Sequence, residues 1–233
     1  MDRRRCDAGG GRQRDAVSCE LDHLVIVADS LAQGVAWCER TLGITPGPGG
    51  RHALMGTHNR LLALGGEGFE RAYLEIIAID PEAGPPGRAR WFGMDDPVRQ
   101  AAVRESPRLV HMVLRCAQIE MQRWGLINLG IDPGVPIALE RESALGRLAW
   151  RMLVRDDGRM ACDGWLPTLI EWGSRHPAEA MPASGLSLAS ISLGGLPDAV
   201  LGLLRPRGIQ RAAEPGLQVE LDGPLGRVAL AAG

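Results

Sequence analysis

The chain contains no lysine; arginine supplies all 26 of its cationic side chains. The arginines are scattered, so this reads as a compositional bias rather than a functional patch. An excess of one charge is also missing. A formal net charge of −2 and a pI near 6.2 give no electrostatic reason to expect nucleic acid or an anionic membrane as a partner. No apolar run approaches the ~18 residues of a membrane-spanning helix. Cysteine is sparse. Cys6, Cys19, Cys38, Cys116 and Cys162 are odd in number and form no CxxC pair, which argues against a disulfide framework and fits a reducing, cytoplasmic setting. The opening MDRRRCDAGGGRQRDAVS is basic but lacks the apolar core of a secretory signal. Its Gly, Arg and Asp content cannot bury surface, so residues 1–18 are expected to be disordered.

What is present is an ordinary globular composition, 45% hydrophobic and 23% charged over 233 residues, enough for one large or two small domains. Within it a phrase repeats. CELDHLVIVA at 19–28 returns as RLVHMVLRC at 108–116. Each copy leads into a helix-like stretch and then, farther on, into an apolar strand with a lone glutamate, AYLEIIAI around Glu75 and PTLIEWG around Glu171. Such a repeat sets the architecture.

The first unit, 19–80, reads β-α-(β)-β-β. Asp29-Ser30 offers an N-cap to the helix LAQGVAWCERTLG, and Gly43 ends it. The stretch ITPGPGGRHALMGTHN is read as a loop with at most a short strand. Residues 81–106 form a linker with a helical connection. The second unit, 107–173, repeats the pattern, with Ile119, Trp124 and Ile127 of its helix expected in the core. A second linker, 174–182, carries His176 at the surface. Residues 183–233 echo the unit once more as a partial βαββ, without its histidine, and are read as structure protecting a sheet edge on the same domain. The class is α+β.

Strand alternation sets His23, Glu75, His111 and Glu171 each alone among apolar neighbours. A buried carboxylate must protonate or find a cation. Two imidazoles and two carboxylates converging on a divalent ion would satisfy all four, and nitrogen with carboxylate oxygen suits Zn, Fe, Mn, Ni or Co better than calcium. The plain alternative is a hydrogen-bonded core histidine and a solvent-facing glutamate. The loop residues Arg51, His52, His58 and Asn59 form a second candidate group, suited to an anionic or carbonyl substrate over a pocket mouth.

These residues carry a family likeness. The LDHLVI opening, the YLEIIA strand and the repeat resemble the vicinal-oxygen-chelate superfamily, the glyoxalase/bleomycin-resistance/dioxygenase fold. The GGRH and GTHN strings with YLEIIA and WFG resemble, more closely, the glyoxalase-like domain family, from about Cys19 onward. The resemblance implies tandem βαβββ modules curling into a half-open barrel around a cleft. It also implies metal ligands from the first and last strands of each module, at the places of His23, Glu75, His111 and Glu171. The GTHN string marks the closer family and implies that His52, His58 and Asn59 serve its function.

Two functional classes follow. One is a divalent-metal enzyme of lyase, isomerase or dioxygenase type, in which Glu171 or Glu75 moves a proton on a small oxygen-bearing substrate. The other is a metal-free protein that binds or sequesters a small molecule. A degenerate scaffold acting through protein contacts is a third. With two units in one chain, a monomer can complete its own cleft, and a homodimer is the other expected state.

Overall fold

A computed structural model describes residues 18–143 and 146–232. The expectation for the N-terminal segment falls outside these, except at Ser18. Twelve strands and four α-helices are found among the described residues, in two sheets.

The repeat is written directly into the larger sheet. Its strands are β1 (Glu20–Val27), β2 (Arg51–His52), β3 (Thr57–Ala63), β4 (Tyr73–Ile79), β5 (Arg108–Arg115), β6 (Val135–Arg141), β7 (Leu148–Val154) and β8 (Thr168–Trp172). Their order is β2-β3-β4-β1-β5-β8-β7-β6. Each half places its first strand parallel to its last, β1 on β4 and β5 on β8. The halves meet where β1 runs antiparallel to β5. The result is a curved, nearly closed sheet, as the tandem βαβββ reading required. The loop reading of GTHN is corrected. His52 closes β2 and Thr57 opens β3, so the string is a hairpin.

The inner face is packed with Val25, Val27, Ile77, Trp91, Phe92, Trp150, Met152 and Ile170. The outer face of the central strands, including Leu24, Ile26, Leu74 and Ile76, packs on α1 (Leu31–Leu42) and on the smaller sheet. Helix α1 begins where the Ser30 side chain accepts from the Gln33 N–H and ends at Gly43, left-handed at φ 72°. α2 (Pro97–Glu105) connects the halves. In α3 (Ile119–Asn128) the buried positions are Ile119, Gln122 and Leu126. Trp124 is instead 56% exposed, with the Arg123 guanidinium 5.2 Å above its ring.

The third unit does not extend the edge of the large sheet. β9 (Ser187–Gly194), α4 (Asp198–Leu204), β10 (Gln210–Arg211), β11 (Gly216–Gly223) and β12 (Gly226–Ala232) make a separate sheet of order β10-β9-β11-β12. Its Leu188, Ile191, Val219 and Leu221 join the core on the outer face. Burial of that face, rather than edge protection, is what this unit supplies.

Gly34 lets α1 approach β4. A Cβ there would lie 2.4 Å from Ile76 Cγ2 and 3.2 Å from Ala28 Cβ, both fully packed. Gly34→Ala gains about 1 kcal/mol of helix propensity but overpacks a site where about 1–3 kcal/mol is typically lost. The variant is therefore expected to melt a few degrees below the parent, at about 2–4 °C per kcal/mol for a chain of this size. A higher melting temperature would show that the interface has slack.

Candidate functional site

The site starts with an irregularity in β1. Between Leu21 and His23 the pairing with β5 shifts register, so Asp22 has no partner residue across the ladder. A bulge of this kind re-aims side chains. Asp22 and His23 consequently meet, with His23 Nδ1 2.7 Å from Asp22 Oδ1. Asp22 is completely buried. Its Oδ2 also accepts from Trp172 Nε1 at 2.8 Å and lies 3.0 Å from His176 Nε2. Burial alone would raise its pKa, but the hydrogen bonds from His176 and His23 outweigh it and hold the carboxyl well below the usual range.

An ionised Asp22 can only accept, which fixes both histidines. His176 accepts the Ala178 N–H on Nδ1 at 3.2 Å and so donates from Nε2. His23 donates from Nδ1, so Nε2 is the ring nitrogen turned toward the chamber. That atom faces Glu75 Oε2 at 3.5 Å, longer than a good N–H···O bond. Glu75 is held from its other oxygen, where Oε1 accepts from Asn59 Nδ2 at 2.5 Å. Asn59 is held in turn by Gly50, whose N–H donates to Oδ1 at 2.7 Å. Tyr73 stacks on the His23 ring at 4.7 Å.

His23, Asn59, Tyr73 and Glu75 line a small chamber with His52, Trp91, Phe92, Arg141, Trp150, Met152, Ile170 and Trp172. Its interior, about 20 Å³, holds one water-sized or ion-sized occupant. His52 Nε2 lies 3.5 Å from the Asn59 amide nitrogen, and its Nδ1 lies 3.0 Å from Thr57 Oγ1. With the amide donating, the ring keeps its proton on Nδ1. Burial, then the positive charge of Arg141, lowers the His52 pKa to about 3, so it is neutral at ordinary pH.

The sequence-expected groups are thus divided. His23, Glu75, His52 and Asn59 come together. Arg51 and His58 do not, because strand alternation turns each away from its inward neighbour. Arg51 pairs with Glu82 and Asp80, and His58 Nδ1 lies 3.8 Å from Asp80. Burial lowers the His58 pKa, against the opposing pull of Asp80.

His111 is buried but does not line the chamber. Its Nε2 accepts the Thr168 N–H at 3.1 Å and lies 3.0 Å from Thr168 Oγ1. Phe92, which does line the chamber, packs on its ring at 5.6 Å. Burial lowers its pKa to about 3.

Glu171 sits elsewhere, in a groove with Arg151 and Glu140. It accepts from Arg151 Nε at 3.0 Å and from the Ile119 N–H at the start of α3 at 3.4 Å. Register explains the error. Tyr73 lies beside His23 in one half, and Thr168 beside Val113 in the other. Stepping back two residues sets Leu166 beside His111, so Thr168, not Glu171, occupies the place of Glu75. Glu171 matches Ala78 on the outer face.

Sequence reasoning missed Asp22, His176 and Arg141, whereas Trp172, read as core or pocket wall on the face opposite Glu171, does line the chamber. Asp22 was next to His23, but alternation assigns neighbours to opposite faces, and nothing in the sequence announced the bulge.

Among the described residues no three His, Cys, Asp or Glu side chains are grouped tightly enough to enclose a metal ion. The donor chemistry nevertheless fits an ion held by two protein groups. His23 Nε2 and Glu75 Oε2 face each other in a buried chamber, and an imidazole nitrogen beside a carboxylate oxygen is a donor set that divalent transition metals accept. The Asp22–His23 pair has the form of a carboxylate that orients a metal-binding imidazole.

A family profile described as a glyoxalase-like domain matches residues 21–205. No curated protein matches the chain. Among solved structures, a hypothetical protein from Staphylococcus aureus covers 92% of this chain and 85% of its own at 16% identity, with a TM-score of 0.55. Methylmalonyl-CoA epimerase from Mycobacterium tuberculosis covers 65% of this chain and 85% of its own at 16% identity, with a TM-score of 0.40. The first likeness supports the fold; the second is too low to add to it.

Proposed function

The chain belongs to the glyoxalase-like domain family, and on that premise we propose that it is a divalent-metal-dependent enzyme that moves a proton on a small oxygen-bearing substrate, in the manner of an isomerase or lyase. The observation that carries this reading is that His23 Nε2 and Glu75 Oε2, an imidazole nitrogen and a carboxylate oxygen, face each other 3.5 Å apart in a buried chamber. His23 and Glu75 would hold the ion, and Zn, Fe, Mn, Ni or Co suits them. Such an ion supplies Lewis-acid polarisation of a carbonyl and stabilises negative charge on its oxygen.

The chain's own residues supply the rest. Asp22 keeps the His23 proton on Nδ1. Asn59 occupies Glu75 Oε1, so Oε2 is the one oxygen left, and only once released from the ion would it take a proton from a carbon beside the substrate carbonyl. His52 is neutral and adds no charge to compete with that transfer. Trp91, Phe92, Trp150 and Trp172 wall the chamber and keep bulk water from the developing anion.

Deuterium uptake in D₂O tests this, read by NMR on a panel of 2-oxo acids and acyl thioesters. The wild-type protein is expected to exchange the proton beside the carbonyl of one class. Glu75→Gln is expected to slow that exchange by about 100-fold or more. Exchange that survives both Glu75→Gln and a chelator would overturn the reading. Panel members that bind with no exchange would mark a sequestering protein instead.

A further inference from the structure

A second, larger cavity of about 400 Å³ shares Arg141 with the chamber as a lining residue. Ile44, Pro48, Leu61, Leu148, Met181 and Pro182 give it apolar walls. The segment expected to be a plain linker therefore forms one side of it. Arg141, at the end of β6, lines both spaces and is the one charged side chain among the described lining residues of the larger cavity. Its guanidinium lies across Gly50, where a Cβ would come within 2.4 Å of Nη1. It is half-buried, and among the described residues it has neither an ion pair nor a hydrogen bond. Its charge is felt inside the chamber, at His52 and Tyr73.

A guanidinium at the junction of an apolar cavity and a polar chamber, with no carboxylate of its own, matches an amphipathic anion. We infer that the substrate is a carboxylic acid with an apolar tail, its carboxylate on Arg141, its tail in the larger cavity and its reacting oxygen directed to the chamber. The last point rests on the proposed function; the first two do not. At the ~30 Å³ of a water-sized group, the cavity takes a tail of on the order of ten carbons. That volume lies inside the range of small-molecule sites, about 300–1,000 Å³.

Calorimetric titration of the full chain, stripped of metal by a chelator, tests the assignment with decanoate and decanol as probes. Removing metal separates this test from that of the proposed function, since binding is read without chemistry. Wild type is expected to prefer decanoate to decanol by about tenfold or more, the effect of a charge-assisted bidentate pair. Arg141→Gln is expected to abolish the preference while leaving decanol binding in place. Ala63→Phe, which fills the larger cavity from β3, is expected to weaken both probes. Thermal melts of each variant confirm folding. Failure of wild type to bind either probe, or a decanoate preference that persists in Arg141→Gln, would overturn the inference. Either result would leave a metal centre at His23 and Glu75 untouched.

Discussion

Asp22→Ala is expected to destabilise the protein by about 3–5 kcal/mol, the loss seen when one partner of a buried charged network is removed. Asp22 is fully buried and serves three ring N–H groups, on His23, Trp172 and His176. Each donor left without an acceptor costs about 1–3 kcal/mol. The loss spans the fold, because Trp172 and His176 lie about 150 positions away along the chain. Asp22→Asn tests the electrostatic part separately. Its amide offers one acceptor oxygen and sets a donor against a donor. It is expected to keep the fold, destabilised by about 1–3 kcal/mol, and to lower affinity for a transition metal by about 10–100-fold. Urea unfolding checks the first outcome and metal titration the second. A loss below about 1 kcal/mol for Asp22→Ala would mean that water replaces the carboxylate at no net cost, and that the node does not organise the site.

Mild acid is expected to destabilise the chain more steeply than a typical surface would allow. Burial lowers the pKa of His52 and of His111 to about 3, against about 6.5 in the unfolded chain. Between these values the unfolded state carries two protons that the folded state refuses. Stability is therefore full above about pH 6.5 and falls as pH drops toward 3. By pH 5 the loss is roughly 2 kcal/mol for each histidine, a large share of the 5–15 kcal/mol typical of a domain. Asp22, whose folded pKa is depressed, adds to the loss only below about pH 4. Urea unfolding of the chelator-stripped protein at pH 7.5 and pH 5.5 measures the slope, and His111→Gln is expected to reduce it by close to one proton. Equal stability at the two pH values would show that both rings protonate freely in the folded state.

The fold was legible because its signal is repeated. Two His-bearing strands, each followed by a capped helix and an apolar strand, announce tandem modules, and the sheet order mirrors them across β1 and β5. His23 and Glu75 were legible for the same reason, as isolated ionisable groups on interior strands. Glu171 lies apart from the chamber, and the sequence could not show this because its strand lacks a register marker. The string TLIEW can be aligned with YLEII in two ways, and only strand pairing shows that Thr168 takes the glutamate's place. Arg51 and His58 do not line the chamber because a hairpin, unlike a loop, sends neighbours to opposite faces. His176 and Arg141 reach the site across long stretches of chain, through contacts with no local pattern. No helix of the described residues is long and apolar enough to cross a membrane, in keeping with the absence of long apolar runs.

The central claim is that His23 and Glu75, aimed by Asp22 and Asn59, hold a divalent cation. It is tested most directly by elemental analysis and calorimetric metal titration of protein purified without a nickel column, alongside His23→Ala and Glu75→Gln. The expected result is one equivalent of a transition metal in the parent, lost in both variants, with Glu171→Gln unchanged. Absence of binding in the parent, or binding that survives in both variants, would contradict the account.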